Sequence, residues 1–585
     1  EGQNVLKANP LIVNKLREEG WLLHTENISH SYPHCWRTHA PVIFRVTEQW
    51  FVQIDHVDPD KKLNPEGKTL RARLLDAIHA SKWFPAWGEN RISAMIENRP
   101  DWCVSRQRYW GIPIPAFRVK ETGEVLLTRE TNKRVVELVR QHGSNVWFDD
   151  VNWPAEKLLP PEVAAKYKGK TLEKMGDIFD VWFEAGSSFQ AVMREDAELL
   201  DKFPANMYLE GDDQHRGWFQ VSLILSVATT GVSPFKHCLT CAFVVDEKGE
   251  KGSKSKGNMW PIDQGCKDLG ADLIRYYFAS LDTSSPVPVT YKLIQDGAEG
   301  YRKIRNTFRA LVGNLFDFDP ARHALPQEQL TALDQWALSR AAACAQAVTE
   351  AFDRYEFHVA MRELTQFCNV TLSAQYIDAT KDTLYCEGGE SAKRRSAQTA
   401  MSHIANLLCR LVAPILVHSA DEMWEFTPKA AGEVPSVHMA AWPGSREFSL
   451  RNEKLDAEFE RVFKVKAEVD RVLDRLRKEK KIGKGYDARA VLGCKPELMA
   501  LLAGTGKARL AEYLNVSGVE LTDASHHAAL EGFEPATDVQ GLFVRVLTLD
   551  DKACVRCYRR TGDVGMAAKH PELCKRCADV VGDSV

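Results

Sequence analysis

No stretch of the chain stays apolar long enough to cross a bilayer. The longest mostly apolar run, Val221–Val232, is broken by Ser and Thr, against the roughly 20 residues a spanning helix needs. Neither sign of charge dominates. With 76 basic and 80 acidic side chains and a formal net charge of −4, a uniformly basic nucleic-acid coat is excluded, so any such surface has to be a local patch. Internal repeats and low-complexity tracts are missing, and 44% hydrophobic with 27% charged residues excludes collagen-like, coiled-coil and disordered classes. Dense disulfide spacing is missing too. Ten of the fourteen cysteines, among them Cys103, Cys344, Cys368 and Cys409, are scattered or in apolar surroundings, which suits free thiols in a reducing cytosol. The chain opens Glu1-Gly2-Gln3-Asn4, with no Met and no charged-then-apolar leader, so it reads as the middle of something longer.

What is present begins with length: 585 residues is enough for three to five domains at about 100–200 residues each. The other four cysteines are Cys554-x-x-Cys557 and Cys574-x-x-Cys577, sixteen residues apart. Each pair can turn both thiolates toward one point, and two such knuckles make the closed sulfur tetrahedron of a structural zinc. One structural Zn(2+) in a small C-terminal ribbon is therefore expected. Arg556, Arg559, Arg560, Lys575 and Arg576 decorate it, either touching phosphate or simply solvated.

Residues 1–90 read as short strands and loops. Over 91–290, strand-like runs (Val146–Phe148, Met207–Glu210, Ala242–Val245) alternate with helical stretches (Arg216–Thr230, Ala271–Leu281), the pattern of a parallel-sheet α/β unit. From about Tyr291 to Trp424 apolar residues recur at helical spacing, which predicts an α-helical bundle. A further helix is expected over Asp456–Lys481, with Val462, Val465, Val469, Val472, Leu473 and Leu476 on one face. Residues 461–484 hold ten basic and four acidic side chains, so this helix is either an amphipathic surface helix or a phosphate-contacting one.

Two segments carry chemistry. In Lys248-Gly-Glu-Lys251-Gly-Ser-Lys254-Ser-Lys256-Gly-Asn258, four lysines fall within nine residues, spaced by Gly and Ser. Such a loop can close on a polyphosphate and offset the charge that develops as pyrophosphate leaves; the alternative is a solvated lysine-rich turn. Upstream, Tyr208-Leu-Glu210-Gly211-Asp212-Asp213-Gln214-His215-Arg216-Gly217-Trp218-Phe219 places a carboxylate at a strand's end beside a Gly turn. A carboxylate there can accept from an ammonium or a ribose hydroxyl, and Trp218 can wall a small branched side chain.

These segments, in this order, resemble class I aminoacyl-tRNA synthetases, most closely the bacterial isoleucyl-tRNA synthetase family. Lys251-Gly252-Ser253-Lys254-Ser255 is similar to that class's KMSKS motif, with Gly252 where Met is usual. The string from Tyr208 to Phe219 resembles the family's adenylate-binding sequence. Asp180-Val-Trp182-Phe183-Glu-Ala-Gly186-Ser187-Ser188 resembles its DVWFDSGS stretch, departing at Glu184 and Ala185. Asn98-Arg99-Pro-Asp101-Trp102 through Trp110-Gly111-Ile-Pro-Ile-Pro resembles the return from the editing insertion, and Tyr301-Arg302-Lys303-Ile304-Arg305-Asn306-Thr307 the entry to the anticodon-binding bundle. His30 to His39 resembles the end of the editing insertion. Thr38 breaks its Cys pair, so no complete second zinc site is expected there, although Cys35 and His39 stay open as a ligand pair on spacing.

The resemblance implies the second half of a Rossmann-type catalytic domain, a helical anticodon-binding bundle and a zinc ribbon: α/β plus all-α. Residues 1–90 are then the edge of the editing insertion, 91–290 the catalytic half, 291–445 the bundle, 446–550 a junction and tRNA-contacting region, and 551–585 the ribbon. The implied activity is activation of L-isoleucine by ATP and Mg(2+) and transfer to tRNA(Ile), by a cytoplasmic monomer. Lys251 and Lys254 would be catalytic, with Lys254 on ATP. Glu210, Gly211, Asp213 and Gln214 would hold the adenylate, and Trp218 and Trp182 would border the isoleucine pocket. A valyl-type synthetase and a non-catalytic tRNA-binding paralogue remain the alternatives. Cys241 stands where the family usually has His. No His-x-Gly-His sequence, the family's HIGH motif, occurs in the chain; an N-terminally truncated protein, inactive alone in forming adenylate, is therefore expected.

Overall fold

The computed structural model describes residues 3–35, 38–252, 258, 261–524 and 531–582. The chain divides into two compact units, one of residues 1–55 and 99–184, the other of residues 56–98 and 185–585. The division falls between Asp55 and His56, upstream of the border expected at residue 90. The reason is a long-range pairing: the strand Lys82–Phe84 runs parallel to Phe235–Cys241, which draws the preceding residues into the second unit.

In the first unit, the opening is not the mixture of short strands and loops expected. Val5–Glu18 is a helix, and within residues 1–55 the strand Phe51–Val52 pairs with Trp102–Cys103. A small antiparallel sheet in the order Val125–Leu126, Phe117–Val119, Leu172–Lys174 lies with the helix Arg129–His142, whose start is fixed by a capping box between Thr128 and Thr131. Val146–Phe148, expected as a strand, falls instead on the 3-10 turn Ser144–Trp147. Both Val146 and Trp147 are 2% exposed, and Trp147 packs edge-on to Phe117 while its Nε1 donates to the Met175 carbonyl. A three-residue apolar run lacks the length to separate a strand from a plug in the core.

The second unit opens with a parallel sheet in the order Lys82–Phe84, Phe235–Cys241, Ala205–Gly211, the expected α/β arrangement. Helix Trp218–Thr230 leads from one strand to the next; Phe219 to Val227 are all buried, and Gly231 ends it in the left-handed region at φ +83°. Most of the apolar run too short for a membrane, up to Val227, is thus helix buried on every side. Among the described residues no helix is long and apolar enough to cross a membrane.

Helices Ala298–Gly313, Ala332–Asp353, Phe357–Gln366, Asp378–Cys386, Ala392–Val412 and Val417–Phe426 follow, sharing one core with helix Glu453–Lys478. All six apolar residues expected on one face of that last helix are buried. A four-stranded sheet in the order Gly518–Asp523, Ala488–Cys494, Leu542–Thr548, Glu534–Pro535 precedes the cysteine ribbon.

Candidate functional site

Strand Ala205–Gly211 pairs with Phe235–Cys241 so that Glu210 faces Thr240 and Gly211 faces Cys241. Both strands therefore end together, and carboxyl ends of parallel strands are where α/β sheets bind ligands. The chain then turns through the 3-10 segment Asp212–His215 into helix Trp218–Thr230. Gly211 is needed for space: a Cβ there would lie 2.8 Å from Oδ1 of Asp213 and 3.4 Å from Cε1 of Phe243. The turn is held by its own polar groups. Gln214 Nε2 donates to Asp213 Oδ2 at 3.2 Å, and Gln214 Oε1 accepts from the Trp218 N–H at 2.9 Å, occupying a donor that the helix start would leave open. Glu210 Oε2 accepts from the Gly211 N–H at 3.2 Å.

Trp218 is fixed on three sides. Its ring stacks on Tyr208 with centroids 4.0 Å apart and planes 6° apart, and its Nε1 reaches the Ala185 carbonyl at 3.0 Å and Ser188 Oγ at 3.1 Å. Burial pushes the Tyr208 hydroxyl up to about 12, against hydrogen bonds from Ser188 and Ser222, so it stays protonated. Gly186 lets the 185–188 segment approach: a Cβ there would sit 3.0 Å from both the backbone carbon and Cγ2 of Val221. Gly186→Ala is expected to cost about 1–3 kcal/mol, as overpacking does, and to disturb the Trp218 anchor. Denaturant unfolding and Trp fluorescence check this; an unchanged midpoint and spectrum would contradict it.

The lysine loop begins at the same strand end. Lys251 Nζ lies 3.4 Å from the centroid of the Phe243 ring, the ring that also closes over Gly211. Phe243 thus joins two segments forty residues apart in the sequence. Gly252 N–H donates to the Val244 carbonyl at 3.0 Å, so Gly252 still belongs to a backbone-anchored part of the loop. Lys254 lies outside the described residues. Burial, with a smaller contribution from the Glu210 carboxylate, pushes the Cys241 thiol up and keeps it neutral. Trp182 belongs to the first unit, where its N–H donates to Asp180 Oδ1 and Asp180 accepts from Arg106 at 2.7 Å.

Sequence reasoning missed His215, Tyr208, Phe243 and Gly186. His215 is fully buried between Trp83, Trp87 and Phe219, with Nδ1 3.0 Å from the Asp212 carbonyl; burial, outweighing that bond, lowers its pKa. It is a neutral prop for the turn. Its position within the string from Tyr208 to Phe219 was the available signal.

The second site is the ribbon. The sulfurs of Cys554, Cys557, Cys574 and Cys577 lie within 4.8 Å of one another, with Cys557 and Cys574 3.8 Å apart. A tetrahedron with Zn–S bonds of about 2.3 Å has edges of about 3.8 Å, so the four buried sulfurs fit one structural zinc. Burial pushes the Cys554 thiol up, but N–H groups of Cys557, Cys574 and Arg556 more than offset it and bring it down to about 7. Burial and neighbouring sulfurs push Cys557 up to about 11. Four thiolates this close need a cation among them.

The ribbon's arginines neither lie free in solvent nor point outward to phosphate. Arg576 forms a bidentate pair with Asp382 at 2.5 and 2.8 Å, and Arg559 lies 3.7 Å from the same carboxylate. Arg560 Nε donates to Asp487 Oδ1 at 2.8 Å, and Arg556 caps the Cys386 carbonyl. They fasten the ribbon to helix Asp378–Cys386 and to the sheet. Lys575 alone of the five is exposed.

Comparisons with known proteins follow the same order along the chain. Residues 13–289 match the family of class I tRNA synthetases for I, L, M and V, residues 334–492 the anticodon-binding domain of tRNA ligases, and residues 551–580 the zinc finger found in FPG and IleRS. Catalytic region, anticodon-binding region and zinc finger together define a class I aminoacyl-tRNA synthetase. The isoleucine–tRNA ligase of Syntrophomonas wolfei is 41% identical over 99% of this chain and 60% of its own length. That of Geobacillus thermodenitrificans is 42% identical over the same shares. The chain is similar to isoleucine–tRNA ligases along nearly its whole length, in line with the motifs, and spans 60% of the length of these curated relatives. Among solved structures, Mycobacterium tuberculosis methionyl-tRNA synthetase bound by methionyl-adenylate is similar at 15% identity and a TM-score of 0.47, over 68% of this chain and 66% of that one.

Proposed function

We propose that the strand end from Glu210 to Trp218, with the loop beginning at Lys251, is the aminoacyl-adenylate side of an isoleucine–tRNA ligase site. The observation that carries this reading is Phe243, whose ring brings Lys251 to the turn at Gly211. In the first step the isoleucine carboxylate attacks the α-phosphorus of ATP and pyrophosphate leaves. Lys251 and Lys254 offset the charge that grows on the departing phosphates. The Glu210 carboxylate accepts from the ribose or the substrate ammonium, Asp213 and Gln214 orient it, and Gly211 leaves room for the backbone to approach. Trp218, held by Ala185 and Ser188, is a flat apolar wall for the branched side chain; a role for Trp182 rests on its motif. In the second step the terminal hydroxyl of tRNA(Ile) attacks the adenylate carbonyl and releases AMP. No side-chain nucleophile is required, since positioning and electrostatics supply the rate. The protein acts as a cytoplasmic monomer in this reading.

Binding of non-hydrolysable aminoacyl-adenylate analogues tests it. One methylene in an apolar pocket is worth about 1–3 kcal/mol, so the isoleucyl analogue is expected to bind about tenfold or more tighter than the valyl one, with Glu210→Ala weakening both. Equal binding, or preference for the valyl analogue, would favour a valyl-type enzyme. No saturable binding of either would end the reading.

A further inference from the structure

The amino ends of the central strands carry a cavity of about 630 Å³, within the size range of small-molecule sites. Lys82 and Phe235 open two of the three parallel strands, and Pro204 precedes the third. All three line the cavity, together with helix Leu70–Ala80 and the turn after helix Trp218–Thr230. Strands Ala205–Gly211 and Phe235–Cys241 are seven residues long, which at about 3.3 Å per residue puts the cavity roughly 20 Å from the turn at Gly211. It shares the sheet with the proposed adenylate site but none of that site's residues.

Its charge is uneven. Lys68, Arg73, Lys82 and Lys236 line it against two carboxylates, Glu66 and Asp76. Both carboxylates are taken by one ammonium, since Lys68 Nζ lies 2.6 Å from Glu66 and 2.8 Å from Asp76. Two helices also end here, and their last carbonyls would attract a cation. The protein's own donors occupy them: the Ile78 carbonyl accepts from the Trp83 indole at 2.9 Å, and the Val227 carbonyl from Arg73 Nη2 at 2.6 Å. Lys82 and Lys236 are left. Both are exposed, Lys236 reaches only the neutral Asn206 amide at 3.4 Å, and among the described residues no carboxylate lies within ion-pair distance of either. Both act on His237, which pairs with Lys82 across the sheet and whose Nδ1 lies 2.8 Å from the Tyr355 hydroxyl. Burial first, and then these two charges, lowers its pKa. The rest of the wall is apolar, with Leu63, Ala77, Pro204, Val232 and Phe235.

We infer that this cavity binds an organic phosphate monoester, its head between Lys82 and Lys236 and its apolar body against Leu63, Ala77 and Phe235. Charge selects the phosphate: the excess of two cations over carboxylates matches a monoester, which carries about −1.5 to −2 at neutral pH. Size and wall select the ester, because inorganic phosphate would leave most of the cavity and all of its apolar surface in water. The inference goes beyond the isoleucine–tRNA ligase reading and does not depend on it.

Fluorescence titration of the full chain with naphthyl phosphate tests it, with inorganic phosphate and naphthol supplying the head and the body alone. One naphthyl phosphate per chain is expected to bind with a Kd below about 1 mM, and each part alone about tenfold more weakly or worse. Lys82→Ala/Lys236→Ala should weaken naphthyl phosphate by about tenfold or more and leave naphthol unchanged. Ala80→Trp, which narrows the cavity from an exposed position on the last turn of its helix, should abolish binding of both naphthyl probes. An unchanged thermal transition verifies that these variants are folded. Lys251→Ala, at the proposed adenylate site, should bind naphthyl phosphate like wild type. No saturation by about 10 mM, or inorganic phosphate or naphthol binding as tightly as the ester, would overturn the inference. So would binding that Lys251→Ala loses and the double-lysine variant keeps, a result that places the anion at the lysine loop and leaves the ligase reading standing.

Discussion

Removing zinc with a strong chelator, or replacing Cys574 by serine, is expected to melt residues 551–582 while the helical bundle stays folded. The ribbon has little core of its own: its buried cluster is the four cysteines, Leu573 and Ala578, packed on Cys386. Sulfurs 3.8 Å apart that are no longer shared by a cation either repel as thiolates or must take up protons, and burial opposes the charged form. Structural zinc in comparable sites binds with an apparent free energy of about 10–16 kcal/mol, far more than so small a cluster can replace. Limited proteolysis is the measurement: zinc-free protein should be cut rapidly within 551–582, while a fragment ending before it persists with an unchanged thermal transition. A ribbon equally resistant with and without metal would refute the zinc's structural role.

Arg576→Ala is expected to undock the ribbon without emptying it of zinc. Asp382 has 4% of its side chain exposed, and burial alone would raise its pKa; the Arg576 hydrogen bonds and the charges of Arg559, Arg576 and Lys393 outweigh that and leave it lowered. Deleting one partner of a buried ion pair costs about 3–5 kcal/mol, because the remaining charge is stranded. Arg559, 3.7 Å away, keeps the loss toward the lower end. The variant should bind one zinc per chain yet show faster proteolysis near residue 551. Asp382→Asn keeps an acceptor for Arg576 but leaves the Arg559 and Arg576 charges without a counter-charge, so it should weaken docking as well. If the arginine variant matches wild type in both assays, the pair is a bystander.

Local patterns were legible in the sequence and distant partnerships were not. The Cys554/Cys557 and Cys574/Cys577 spacing carries its geometry within a few residues, and Val462 to Leu476 declares a buried helix face by period alone. Strand Ala205–Gly211 and the turn after it could be read the same way. Arg576 and Asp382, by contrast, are 194 residues apart, and nothing near either one marks it as half of an ion pair. The ribbon arginines therefore read as solvated or phosphate-seeking when they are neither. Lys82–Phe84 could not be assigned to the central sheet because its neighbour begins at Phe235. Phe243 looked like any strand aromatic until it was seen beside both Gly211 and Lys251. Of the sequence-derived site, Glu210 to Trp218 and Lys251 come together in the second unit.

Helix Trp218–Thr230 buries every residue from Phe219 to Val227, including Gln220, Ser222 and Ser226. With no solvent face, it has no free direction in which to slide or rotate, and Trp218 at its first turn inherits that fixity. In the proposed site, a changed side-chain preference would not come from small adjustments of this helix, because each would break packing around Phe219–Val227. The short segment around Ala185–Ser188 is held as well: it touches the indole through one carbonyl and one hydroxyl, and Gly186 has no room for a Cβ against Val221. In the proposed site the indole wall is therefore fixed from both the helix and this segment.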